Sequence, residues 1–141
     1  MPELYQTLYH SRALLPDTAE AHAEILAASQ RNNRRDSITG FLHRENNHFV
    51  QFLEGPKTKL FETLQRIGRD PRHTDFVIKN FGPAPRRLLE SWDMGYADPS
   101  QLSLQDLLQT SGNTLEFGTL DPMDLVVFVV HNAQALREQV A

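Results

Sequence analysis

The stretch Ser37–Pro56, SITGFLHRENNHFVQFLEGP, decides the fold. Two largely apolar runs, Ser37 to His43 and Phe49 to Glu54, flank a polar tip of Glu45, Asn46, Asn47 and His48. That pattern predicts a β-hairpin, and Gly55-Pro56 ends its second arm. Side chains alternate along a strand, so Phe49, Gln51 and Leu53 share one face and Val50 and Phe52 the other. Gln51 is the only polar residue of that run before Glu54. A carboxamide inside an apolar strand needs a physical reason.

Before the hairpin, Leu4 to Ser11 predicts a first strand with Tyr5, Thr7, Tyr9 and Ser11 on one face. Pro16 breaks the chain. Asp17 followed by Glu20 is a capping-box-like start for a helix, AEAHAEILAASQRNN, that runs to about Asn33. After the hairpin, Leu60, Leu64 and Ile67 at helical spacing predict a second helix from about Lys57 to Arg69, stopped by Asp70-Pro71. Phe76 to Phe81 predicts a fourth strand. Gly82, Pro83 and Pro85 interrupt the chain, and Ser91 to Tyr96 predicts a short fifth strand with Trp92, Met94 and Tyr96 on one face. The order is β-α-β-β-α-β plus one strand. It specifies an α+β, ferredoxin-like architecture, with two helices on one face of an antiparallel sheet.

Residues 1–98 complete that unit, and residues 99–141 differ in kind. Ser103 starts a short helix that ends at Gly112. Asp121-Pro122 opens a last helix, an N-cap followed by proline at the first helical position. Its LVVFVV segment is apolar nearly all round. Two C-terminal helices are therefore expected to pack on the open face of the sheet, with the excess apolar surface meeting another copy or partner.

Composition narrows the function. The chain has 141 residues, enough to bury a core without staples, and a net charge of −4, which does not suit nucleic-acid phosphates. Arg31, Arg34 and Arg35 cluster where a helix ends, an ordinary place for cations. There is no cysteine, hence no disulfide, thiolate ligand or thiol photochemistry. The N-terminus lacks a basic-then-apolar leader, and the longest apolar run, Leu125 to Val130, is too short to cross a bilayer. A cytoplasmic protein off the membrane is the expectation.

A few polar residues sit where a plain core would not place them. On the first helix Ile25, Ser29 and Asn33 recur at i, i+4 and i+8, with Asn32 beside them. The helix thus turns from apolar to amide-rich toward its end, although Asn is also a common helix terminator. Arg66 and Asp70 are likewise i, i+4 on the second helix, the spacing of a solvated ion pair. A buried amide left unpaired costs about 1–3 kcal/mol. Tyr9 and Gln51 either satisfy one another inside a core or bound a pocket for a flat ligand with heteroatoms along its edge.

Five motifs in order, LYHSRA, SQRNNRRDSITGFL, FVQFLEGP, RIGRDPRH and SWDMGY, resemble the BLUF family of blue-light sensors that use FAD. The resemblance covers about residues 4 to 97. It implies a ferredoxin-like domain with a flavin held between the two helices, FAD by family habit and FMN or riboflavin as alternatives. Tyr9 matches the photoactive tyrosine and Gln51 the switching glutamine. Asn33 matches the residue on the flavin's pyrimidine edge, with Asn32 and Ser29 beside it. Ile25 and Ile38 match aliphatic groups on the ring, Arg66 and Asp70 polar contacts from the second helix. Trp92 and Met94 match the pair on the last strand that is linked to signalling.

The resemblance also implies a non-enzymatic sensor that signals to a separate protein, such as an EAL-type enzyme or a transcription regulator, and forms a homo-oligomer. The 44 residues after Ala97 are expected to be too few for a catalytic output domain. Two other readings compete. One is a small hydrolase or isomerase without flavin, for which no phosphate loop is present and the six histidines are dispersed. His43 and His48 alone do not make a metal site. The other is a flavin-binding relative that has lost signalling. Ser37 departs from the family, which commonly has glycine there; as a strand-entry residue it is expected to take a negative φ.

Overall fold

The structure, a computed structural model, describes residues 3–16, 18–89 and 95–97. Its elements are β1 (Leu4–Ala13), α1 (Ala19–Asp36), β2 (Thr39–Glu45), β3 (His48–Pro56), α2 (Lys57–Gly68), β4 (His73–Pro83) and β5 (Gly95–Ala97). They form one sheet in the order β4-β1-β3-β2-β5. The first four strands pair antiparallel, and β5 joins the edge parallel to β2. This is the expected ferredoxin-like fold with its fifth strand. Trp92, Met94 and the helices expected beyond residue 99 lie outside the described residues.

The hairpin turns on Asn46 and Asn47, with Glu45 and His48 as its closing pair. Asn46 takes φ 55°, a left-handed conformation that asparagine tolerates better than most residues. Gly40 is needed where β2 meets β3, because a Cβ there would lie 2.6 Å from the Phe52 carbonyl oxygen. Thr18 caps α1, one residue after the expected Asp17, its Oγ1 accepting from the Ala21 N–H at 3.2 Å.

Two expectations at the far end of α1 are corrected. The helix continues past Asn33 to Asp36, and β2 starts at Thr39 rather than Ser37. Ser37 is the helix C-cap, with φ 59° and ψ 39°. Its φ is positive because the chain must reverse at once from α1 into β2, the geometry that glycine usually serves.

The register sorts the faces. Tyr9, Gln51 and Leu42 lie side by side across β1, β3 and β2. They belong to the core under the helices, with Ile38, Phe49, Leu53, Leu60 and Leu64. Burying a leucine such as Leu60 or Leu64 stabilises by about 1.5–3 kcal/mol. On the opposite face Leu8, Phe52 and Phe41 form a fully buried row. Arg44, also buried, donates to the carbonyls of Leu15, Pro16 and Asn46 at 3.0–3.2 Å and lies 3.1 Å from His22 Nε2. These bonds fix the lead-in to α1 over the end of the hairpin.

Candidate functional site

Tyr9 stands in the middle of β1, directly opposite Gln51 on β3. Both side chains are buried, and the phenol O–H donates to Gln51 Oε1. Burial, reinforced by the negative charge of Asp70, pushes the Tyr9 phenol well above its ordinary pKa. The hydroxyl is therefore neutral and a donor at physiological pH. Phe76 packs on its ring with centroids 4.8 Å apart, and His73 stands edge-on at 6.2 Å. His73 is itself held at both nitrogens. Nε2 lies 2.6 Å from the Ile67 carbonyl, which can only accept, and Nδ1 lies 2.7 Å from Ser11 Oγ.

Beyond this pair a cleft opens between α1 and α2, in two adjoining parts of about 440 and 460 Å³. Ile25 of α1 and Ile67 of α2 are apolar walls, and Leu42 and Phe49 line the inner part from the sheet. The polar rim comes from Ser29, Asn32 and Asn33 of α1, Gln51 of β3, and Arg66, Asp70 and Arg72. Gln51 faces both parts of the cleft while bonded to Tyr9. The two readings of this pair are therefore compatible: the residues satisfy each other and also bound a pocket.

Tyr9, Ile25, Ser29, Asn32, Asn33, Gln51, Arg66 and Asp70 all line the two adjoining parts of this cleft. Ile38 is fully buried in the core cluster and is not among the residues lining the cleft. Asp70 departs from the helical pairing expected with Arg66. The helix ends at Gly68, so Asp70 lies past it and takes Arg72 instead. Arg72 Nε donates to both carboxylate oxygens at 2.9 and 3.0 Å, and the Arg72 backbone N–H donates at 2.9 Å. The Arg72 hydrogen bond, opposed by burial, holds the Asp70 carboxyl below its usual range. Arg72 and His73 escaped the residue-by-residue reading although both stand in the quoted motif RIGRDPRH. The Asp70-Pro71-Arg72 run just past a helix end was the available signal.

The donor set suits a flavin. Two isoleucines, one from each helix, line the cleft, and amides and hydroxyls at its edge can bond a heteroatom-rich ring margin. Ser29, Asn32, Asn33 and Gln51 could hold that margin. Arg66 and Arg72 offer cationic donors at the outer part. Among the described residues no helix is long and apolar enough to cross a membrane.

Comparison with known proteins agrees. The family model for sensors of blue-light using FAD matches residues 4–95. A photoactivated adenylate cyclase subunit beta of Euglena gracilis is 37% identical over 105 residues, 71% of this chain but 12% of that protein. The blue light- and temperature-regulated antirepressor BluF of Escherichia coli (strain K12) is 30% identical over 81 residues, 56% of this chain and 20% of that one. The chain thus spans only a small part of these curated relatives. Among solved structures, the dark state of the BLUF protein BlrB superposes with a TM-score of 0.79 at 30% identity, covering 96% of this chain and 98% of that one. With the ferredoxin-like fold, the tyrosine–glutamine pair and the cleft between the helices in place, the match over residues 4–95 makes this chain a member of the BLUF family of flavin-binding blue-light sensors.

Proposed function

We propose that this chain is a blue-light photoreceptor whose signal is a rearranged hydrogen-bond network around Gln51, passed to a separate protein without catalysis of its own. The observation that carries it is the buried Tyr9–Gln51 hydrogen bond on the wall of the cleft. A bound flavin supplies, on excitation, a strong one-electron oxidant beside that pair. Tyr9 releases an electron, and its phenolic proton passes along the existing bond to Gln51 Oε1. Both return to Tyr9 when the charge recombines, and Gln51 is left rotated or tautomerised. No covalent bond outlasts the cycle, so the dark state re-forms.

In this reading Asn32, Asn33 and Ser29 hold the ring's polar edge, Ile25 and Ile67 its faces, and Arg66, Asp70 and Arg72 the outer groups. The altered amide then acts on the stretch of sequence that includes Trp92 and Met94 and on residues 99–141, the proposed output and self-association segment. Related sensors are named as a cyclase subunit and an antirepressor, so one photosensory unit serves unlike outputs. An EAL-type enzyme or a transcription regulator is the class of partner proposed here. An absorption spectrum before and after blue light tests the reading. The expected result is a yellow protein whose flavin bands move to the red and recover in darkness. A colourless protein, or one whose bands never move, overturns it.

A further inference from the structure

Glu54 lies on β3 with Gln51, and strand alternation turns it to the opposite face of the sheet. It is fully buried. A buried carboxylate persists only where donors meet it, and Glu54 has three. Thr39 Oγ1 and the Leu89 N–H donate to Oε1 at 2.9 and 2.6 Å, and the Leu88 N–H donates to Oε2 at 2.7 Å. Arg87 adds a second tier. Nη1 donates to Thr39 Oγ1 at 2.9 Å and to the Glu54 carbonyl at 3.3 Å, and Nη2 donates to the Ser37 carbonyl at 2.6 Å. Residues 87–89 are therefore fastened at one point to β3, to the start of β2 and to the C-cap of α1. Two of these elements carry Gln51 and Asn33. The same residues lead along the chain to Trp92, Met94 and β5, which pairs with β2 from Phe41 to His43.

We propose that Glu54 is a positioning residue for the output of this photoreceptor: its carboxylate clamps residues 87–89 to β3, so that a change at Gln51 is transmitted to the β5 segment. The inference rests on the proposed Tyr9–Gln51 photochemistry. Glu54 does not line the cleft, so light capture does not require it. The carboxylate is specific to the task, because two backbone N–H groups need an acceptor oxygen each. Glutamine has the same shape but one acceptor, and its NH2 would face a second donor.

Trp92 is the only tryptophan, so its emission reports on the segment between Leu89 and β5. The experiment compares the flavin-loaded full chain with E54Q, recording flavin absorption and Trp92 emission in darkness and under blue light. The expected E54Q result is an undiminished red shift with a light-induced Trp92 change reduced about fivefold or more, the lower end of coupling between sites. Should E54Q not load flavin, R87Q alters only the half-buried second tier, and the same loss of Trp92 response is expected. A full Trp92 response in either flavin-loaded variant overturns the inference alone. Loss of the red shift itself in E54Q also overturns it, since Glu54 would then act in the photochemistry. No red shift in the unaltered chain overturns the proposed function and this inference with it.

Discussion

In the proposed function Gln51 is the switch, a role that suits a carboxamide because it has two unlike ends of nearly equal size. With Oε1 accepting from Tyr9, rotation by half a turn would set NH2 against the phenol oxygen and aim the carbonyl elsewhere. Leucine forks one carbon nearer the backbone and has neither end. Q51L is therefore expected to bind flavin with affinity reduced by no more than about tenfold, the scale of one net hydrogen bond, and to show no red shift. Difference spectra and flavin titration check both parts, and a full shift in Q51L defeats the assignment. Y9F keeps the ring but removes the proton, and the same loss of shift in a yellow protein is expected. Gln51 was legible in the sequence because a period of two exposes a polar residue on an apolar face, whereas Tyr9, which shares its face with Tyr5, Thr7 and Ser11, stood out only through the resemblance of its motif. Glu54 was not legible: beside Gly55-Pro56 a glutamate passes for the polar end of a strand. Arg72 and His73 were missed for another reason, since helical spacing ceases to apply once α2 stops at Gly68.

At the scale of elements, the junctions are where sequence and structure part. Element types and order follow from periodicity, but the sign of a backbone dihedral at a helix end leaves no such trace. Ser37 shows this, for its φ of 59° is strained for an L-residue with a side chain. S37G relieves that strain but loosens the unfolded chain, so a net stabilisation of up to about 1 kcal/mol is expected. A raised urea midpoint with unchanged slope confirms it, and a lowered midpoint shows that the serine side chain contributes more than the strain costs. The turn from α2 to β4 is fixed by Asp70 and Arg72, and it makes stability depend on pH. The Arg72 bond depresses the folded pKa of Asp70, whereas an unfolded Asp titrates near about 3.9. The contribution is thus fully present above that pH and is lost as pH falls through the lowered folded value. Between about pH 5 and pH 3 the urea midpoint of the unaltered protein is expected to fall more steeply than that of D70N. Parallel curves contradict the pairing.

For the whole molecule, the sheet is unevenly covered, and the ligand completes it. β1, β2 and β3 hold most of the fully buried side chains, whereas α1 has only His22, Asn33 and Asp36 as buried residues among those described. Its apolar contacts to the core come from Ile25 and Leu26, both half-buried. Ile25, Ser29 and Asn32 face the cleft instead of closing on α2. A helix anchored this way leans on whatever fills the cleft, while α2 is seated directly by Leu60 and Leu64. In the proposed site, flavin is part of the core as well as the pigment. Ligand that binds only the folded state stabilises by about 2.7 kcal/mol at a hundred times its dissociation constant, so Tm is expected to rise with added flavin. The gain should also be local. On removing flavin, amide exchange from Ile25 to Asn33 is expected to accelerate more than exchange in β1 and β3, whose opening requires breaking the central sheet. Mass-resolved hydrogen exchange with and without flavin checks this. Equal acceleration across α1 and the central strands would mean that the helix is seated by the protein alone.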